Sequence, residues 1–193
     1  MPGQHQEHRE TRAFIAIDIP QEVKERLREL LASSGIESLR PVHEDNMHLT
    51  LLFIGNLDPA LLEKARSIVS ETRGKSFRVS LKGLGTFSRS HPRVVFARVG
   101  EGVEQLKALH SALHSEVKAI GVELEGREYT PHLTVSRLGH LPRNQLAQLA
   151  KFLDDKADLE MGSFLCSAIK LKSSIIGGER AVHGELAVAE LSP

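Results

Sequence analysis

The chain is 193 residues long, 40% hydrophobic and 26% charged, with 25 basic side chains against 25 acidic ones. That is ordinary globular composition with enough material for a core, and a zero formal charge argues against a sequence-blind coat for long nucleic acids. One cysteine, Cys166, excludes an intramolecular disulfide and a zinc site of cysteine type, and no run of about 18 apolar residues is present to span a membrane as a helix. The stretch Met1 to Thr11 is polar and has no apolar segment of the secretory kind. It is expected to be a disordered lead (1–11), and a cytoplasmic location is expected for the chain. Cys166 stands in an apolar stretch and is expected to be a buried small hydrophobe.

The first predicted element is a buried strand, Arg12-Ala13-Phe14-Ile15-Ala16-Ile17-Asp18-Ile19. Pro20 opens a helix through about Leu31, with Val23, Leu27, Leu30 and Leu31 on one face. Met47 to Ile54 is a second strand, which Gly55-Asn56 should end. Asp58 caps a helix through about Arg73, and Ser76 to Leu84 alternates as a strand. The order then repeats. Arg93 to Val99 is a strand, Val103 to Ile120 a helix stopped by Gly121, and His132 to Leu138 a strand. Pro142 opens a helix to about Asp155, and Ser163 to Ser173 and Ala181 to Leu191 are the last strands.

Equivalent positions keep a nearly constant offset: 81 from Arg12 to Arg93, 84 from His48 to His132 and 87 from Phe77 to Phe164. This is the mark of an internal duplication. The expected fold is α+β, one domain over 12–193, with two pseudo-symmetric lobes of duplicated strand–helix units and mixed sheets around a central cleft. The lobes would run from about 12 to 90 and from about 91 to 193, with an exchange of terminal strands left open. His48 and His132 would face each other across the cleft, where small ligands usually bind.

Chemistry concentrates in His48-Leu49-Thr50-Leu51 and His132-Leu133-Thr134-Val135. Residues i and i+2 of a strand share a face, so each motif sets an imidazole and a hydroxyl together and sends its apolar residues to the other side. With six threonines and ten histidines in the chain, chance supplies roughly 0.3 such His-x-Thr pairs, whereas two occur at matching places in a repeat. A lone strand histidine is usually structural, and Thr50 and Thr134 taken singly would pass as ordinary strand formers. Two imidazoles can divide between them the removal and delivery of a proton at neutral pH. The threonine hydroxyls can donate to phosphoryl oxygens as charge builds there. Arg137 is a candidate phosphate clamp, or else a solvated edge residue. Arg93 and Arg40 are weaker candidates for the same role. Tyr129 could stack on a base or simply pack. His110 and His114 have metal-ligand spacing but no evident third ligand. His43 and His183 could border the cleft.

Paired His-x-Thr motifs in two related halves resemble the 2H phosphoesterase superfamily. The nearer resemblance is to the RNA 2′,3′-cyclic phosphodiesterases, also called LigT-like 2′-5′ RNA ligases. It spans nearly the whole chain, through Arg12 to Asp18, Asn46 to Leu51, Pro92 to Val95 and Pro131 to Arg137. The resemblance implies hydrolysis of a 2′,3′-cyclic phosphate at an RNA end to a 2′-phosphomonoester. It also implies a weak, ATP-independent, reversible 2′-5′ ligation in some members. By the family's assignment His48 would be the proton donor and His132 the proton acceptor; the reading of the residues themselves adds Thr50, Thr134, Arg137 and Tyr129 on the substrate side. No metal or cofactor is expected, the partner is an RNA or oligonucleotide end, and the chain is expected to be a monomer. Two departures stand out. Leu39-Arg40-Pro41-Val42 lacks the aromatic residue usual before the first motif. Gly178-Glu179-Arg180-Ala181-Val182-His183 lacks the tyrosine of a Gly-x-x-Tyr pattern. Alternatives on the same residues are a phosphodiesterase for a small cyclic nucleotide or a 2′-5′ oligonucleotide, and an RNA-binding module without catalysis.

Overall fold

A computed structural model describes residues 10–177 and 180–193. Most of the expected lead, with His5 and His8, therefore lies outside the described residues, as do Gly178 and Glu179. Thr11 already belongs to the first strand.

Eight strands form one sheet: β1 (Thr11–Asp18), β2 (His48–Leu57), β3 (Phe77–Gly85), β4 (Val94–Val99), β5 (His132–Arg137), β6 (Glu160–Cys166), β7 (Ala168–Gly177) and β8 (Arg180–Glu190). Four helices connect them: α1 (Gln21–Ala32), α2 (Pro59–Glu71), α3 (Val103–Ala119) and α4 (Arg143–Asp155). The helix starts are those the sequence marks. Pro20 and Pro142 occupy the N-cap positions, and Asp58 Oδ1 accepts from the Leu61 amide at 2.8 Å. The spatial strand order is β6-β3-β4-β5-β2-β1-β7-β8.

The fold is α+β, and its two repeats are visible in the ladders. β2 pairs with β1 as β5 pairs with β4. Where mixed sheets were expected, every ladder between these strands is antiparallel and all eight belong to one sheet. The strand beyond β1 is β7, from late in the chain, and the strand beyond β4 is β3, from early in it. The helices cross in the same way, since α1 packs on β6 and α3 on β2. Neither repeat can complete its sheet alone, and the result is a single core that runs from Ile15 and Leu49 to Leu133 and Leu171.

Two strand boundaries differ from the sequence reading. The stretch Ser163 to Ser173 is two strands, broken at Ser167, because β6 pairs with β3 while β7 pairs with β1 at the other end of the sheet. Its continuous apolar pattern hides the break. Gly55 does not end β2. It takes φ +96° and carries the strand through a register shift against β1.

The halves meet where Leu49 of β2 pairs with Leu133 of β5, and both side chains are fully buried. Among the described residues no helix is long and apolar enough to cross a membrane. Leu133→Ala should cost about 2–5 kcal/mol through lost burial and the cavity left at this seam. Urea unfolding would measure it, and a loss below about 1 kcal/mol would mean that the seam is not a packed centre.

Candidate active site

The Leu49–Leu133 pair fixes the geometry of both motifs. Extending that antiparallel register by one residue sets His48 opposite Thr134 and Thr50 opposite His132, with all four side chains on the face away from the leucines. His48 and His132 are then diagonal neighbours, which in a regular ladder stand roughly 7–8 Å apart. The burial pattern agrees. Leu49, Leu51, Leu133 and Val135 are buried, while His48, Thr50, His132 and Thr134 are partly open.

Each motif is followed by an irregularity of one residue. Ala16 pairs with Thr50 but Ile15 with Leu52, and Phe96 pairs with Thr134 but Val95 with Ser136. An extra residue reverses the alternation beyond it. Leu51 and Leu52 are both buried, as are Val135 and Ser136. The next residue of each strand, Phe53 and Arg137, is exposed and turned back to the face of the histidines. Strict alternation would place Arg137 off that face; the bulge places it there, close enough for its charge to act on His48. Phe53, 63% exposed, is its counterpart in the first repeat.

The surroundings of the two imidazoles differ. His132 Nδ1 lies 2.7 Å from the Thr130 carbonyl oxygen. A carbonyl only accepts, so Nδ1 holds a hydrogen, and in the neutral ring Nε2 carries the lone pair. Phe87 meets this ring edge-on at 4.9 Å, and Phe96 packs at 5.2 Å. His48 is more deeply set. Phe14 packs on it at 4.8 Å and His183 meets it edge-on at 5.2 Å. Its Nδ1 is buried with no hydrogen-bond partner among the described residues. An orphaned buried N–H is costlier than an orphaned acceptor, which favours the tautomer with hydrogen on Nε2.

Burial pushes the His48 imidazole down to about 3, helped by the positive charges of His183, Lys172 and Arg137 and opposed by Asp18. Asp18, opposite His48 in the β1–β2 ladder, pairs with Lys172 and, at 2.9 Å, with Lys170. Lys170 also reaches Glu185 at 2.7 Å. Burial raises the Asp18 carboxyl, but the two lysines outweigh it and hold the group below its ordinary value. Burial likewise lowers His183, whose Nδ1 lies 3.3 Å from the Ser173 carbonyl oxygen.

Tyr129 has another occupation than stacking on a substrate. Its ring lies flat on His110 at 4.2 Å and its hydroxyl donates to the Thr50 carbonyl oxygen at 3.0 Å. His110 Nδ1 donates to the neighbouring Leu51 carbonyl oxygen at 2.8 Å. These two side chains support β2 at its bulge. The His110 and His114 ring centres stand 5.7 Å apart, and no group of three or more His, Cys, Asp or Glu side chains that could hold a metal ion is found among the described residues. His43 accepts from the Asp45 amide at 3.3 Å at the head of a short turn. Arg40 offers its carbonyl oxygen to the Ser136 hydroxyl at 2.7 Å. Cys166 is buried, and burial pushes its thiol up to about 11.

Sequence reasoning missed Phe53, Phe87, Arg98, Asp18 and Lys172. For Lys172 the alternation Lys170-Leu171-Lys172 was a usable signal. Phe53 could have been found by carrying the repeat offset of 84 back from Arg137.

The buried neutral His48 links stability to acidity. The unfolded chain binds this proton near 6.5, and the folded chain only near 3. The folded state is therefore fully favoured above about 6.5 and loses stability as pH falls from there towards 3. Between pH 7 and pH 4 this one group should remove about 3 kcal/mol. Urea unfolding at both pH values should show that much less pH dependence in His48→Gln; an equal dependence in variant and wild type would overturn this account of His48.

The 2′-5′ RNA ligase superfamily model matches residues 18–173, which contain both motifs. The RNA 2′,3′-cyclic phosphodiesterase of Aeropyrum pernix is 33% identical over 162 residues, 83% of this chain and 90% of that protein. The RNA 2′,3′-cyclic phosphodiesterase of Methanothermobacter thermautotrophicus is 31% identical over 186 residues, 93% of this chain and 98% of its own. The crystal structure of E. coli LigT complexed with 3′-AMP superimposes with a TM-score of 0.78 at 25% identity, covering 95% of this chain and 99% of that one. On sequence over most of its length and on fold, the chain belongs to the 2′-5′ RNA ligase superfamily.

Proposed function

We propose that this protein hydrolyses the 2′,3′-cyclic phosphate at an RNA end to a 2′-phosphomonoester, with His48 as proton donor, His132 as proton acceptor and no metal. One observation carries the reading: the Leu49–Leu133 register sets two imidazoles on one face as diagonal neighbours, in unlike settings. His132, with Nδ1–H held by the Thr130 carbonyl, offers the Nε2 lone pair a base needs. His48, favoured as the Nε2–H form, presents a donor. In the reaction the oxygen of water attacks phosphorus while its proton passes to His132 Nε2. The bond from phosphorus to the 3′ oxygen breaks, and His48 delivers a proton to that oxygen. A proton donor must first be loaded. The anionic phosphate supplies a negative charge against the positive field of His183, Lys172 and Arg137 and so raises the proton affinity of His48. Thr50 and Thr134 donate to the non-bridging oxygens, and Arg137 binds them as a clamp. The relatives named RNA 2′,3′-cyclic phosphodiesterase and the E. coli neighbour holding 3′-AMP support this substrate class. A 5′-hydroxyl attacking the cyclic phosphate in place of water, its proton passing to His132 while the bond from phosphorus to the 3′ oxygen breaks and His48 protonates that oxygen, gives 2′-5′ ligation at the same groups.

A short RNA ending in a 2′,3′-cyclic phosphate, incubated with the protein in EDTA, should yield the 2′-phosphate. His48→Ala and His132→Ala should each lower turnover by at least about 10²-fold with the fold retained. Near-normal turnover in either variant would sink the acid–base assignment, and loss of wild-type activity in EDTA would sink its metal independence. No conversion of RNA alongside conversion of a small cyclic nucleotide would move the substrate to that class.

A further inference from the structure

Beyond His132, on the side away from His48, three features stand together that the acid–base pair does not use. The first is Phe87, 61% exposed although the chain has only seven phenylalanines, one tyrosine and no tryptophan. It is held in place: its ring packs on Phe96 at 4.6 Å and meets His132 edge-on at 4.9 Å. Its loop is tied to α4 by Arg89, whose guanidinium grips the Asp154 carboxylate through two bonds of 3.2 and 2.6 Å. The loop is also braced internally by the His91 amide donating to the Ser88 hydroxyl at 3.2 Å. The second is Arg98, opposite His132 in the β4–β5 ladder and so on its face. It is exposed and takes part in no ion pair among the described residues. The third is Gly85, paired with Phe96. A Cβ there would come within 2.9 Å of the Phe96 ring and 3.0 Å of Arg98 Nε, so the glycine leaves the space in which this guanidinium lies.

A single exposed phenylalanine or arginine is ordinary surface. A fixed aromatic face and an unpaired guanidinium on the rim of a phosphate site together match the two parts of a nucleotide: a base to stack and a backbone phosphate to bind. From these placements we infer that Phe87 and Arg98 form a second nucleotide subsite, which takes the nucleotide adjoining the one that carries the cyclic phosphate. The inference rests on the reaction proposed above and narrows its substrate to oligonucleotide ends rather than free cyclic mononucleotides.

The test compares adenosine 2′,3′-cyclic phosphate with the dinucleotide ApA ending in the same cyclic phosphate, as a ratio of kcat/KM values. Wild type should favour the dinucleotide by about tenfold or more, the worth of one stacked base and one phosphate contact. Phe87→Ala should bring the ratio close to one, and Phe87→Trp should restore it. Arg98→Gln should lower the ratio and flatten the salt dependence of the dinucleotide's KM. A wild-type ratio near one overturns the subsite while leaving the phosphodiesterase reading in place. Equal losses on both substrates in Phe87→Ala also overturn it, because the ring then serves His132 or the terminal nucleotide. Failure of wild type on both substrates overturns the phosphodiesterase reading itself, and the subsite with it.

Discussion

Everything at the site hangs on one pair of leucines. β2 and β5 touch through a single register pair, Leu49 with Leu133, and then part company. Parting leaves main-chain carbonyls that the ladder no longer satisfies, and a buried carbonyl must find a donor elsewhere. The two repeats answer at the same position with different groups. On β2 the Leu51 oxygen accepts from His110, while on β5 the Val135 oxygen, 84 residues on, accepts from the Val42 amide at 2.9 Å. The opening between the strands is thus held by α3 on one side and by the segment before β2 on the other. The histidines adjoin the register pair by which β2 and β5 meet.

Duplication gave the backbone a near-twofold symmetry, and the chemistry departs from it side chain by side chain. The same bulge turns Phe53 out of one strand and Arg137 out of the other. One imidazole has its Nδ1 held by a carbonyl; the other has a buried Nδ1 with nothing to meet it. Asp18 lies opposite His48 where Arg98 lies opposite His132. Like side chains at equivalent positions thus stand in unlike surroundings, and those of His48 lower its affinity for a proton.

Much of this was legible in the residues. The duplication, the α+β class, the helix starts at Pro20, Asp58 and Pro142 and the shared face of each His-x-Thr motif follow from patterns that are local in sequence. The exchange of β3 and β7 between the repeats could only be left open, because strand partners are chosen by long-range packing that leaves no mark on a strand's own alternation. The break at Ser167 was hidden for the same reason, since β6 and β7 are both apolar and adjoin in sequence. Arg137 looked misplaced because alternation was counted through a bulge. Tyr129 was left between stacking and packing because nothing in its neighbourhood in sequence announces the ring of His110 or the carbonyl of Thr50. The unequal surroundings of the two histidines were beyond reach: His183, Lys172 and Asp18 converge on His48 only in three dimensions.

The exchange of strands also bears on when the site comes into being. β1 and β2 are synthesised first, but the flank of His48 that carries Lys172 and His183 comes from β7 and β8, which follow the other described strands. The final residues are then stitched back to the segment before β3, where the Ser192 amide donates to the Gly74 oxygen at 2.9 Å and the Ser76 amide to the Ser192 oxygen at 2.6 Å. A nascent chain therefore carries both histidines before it carries the residues that pack beside His48.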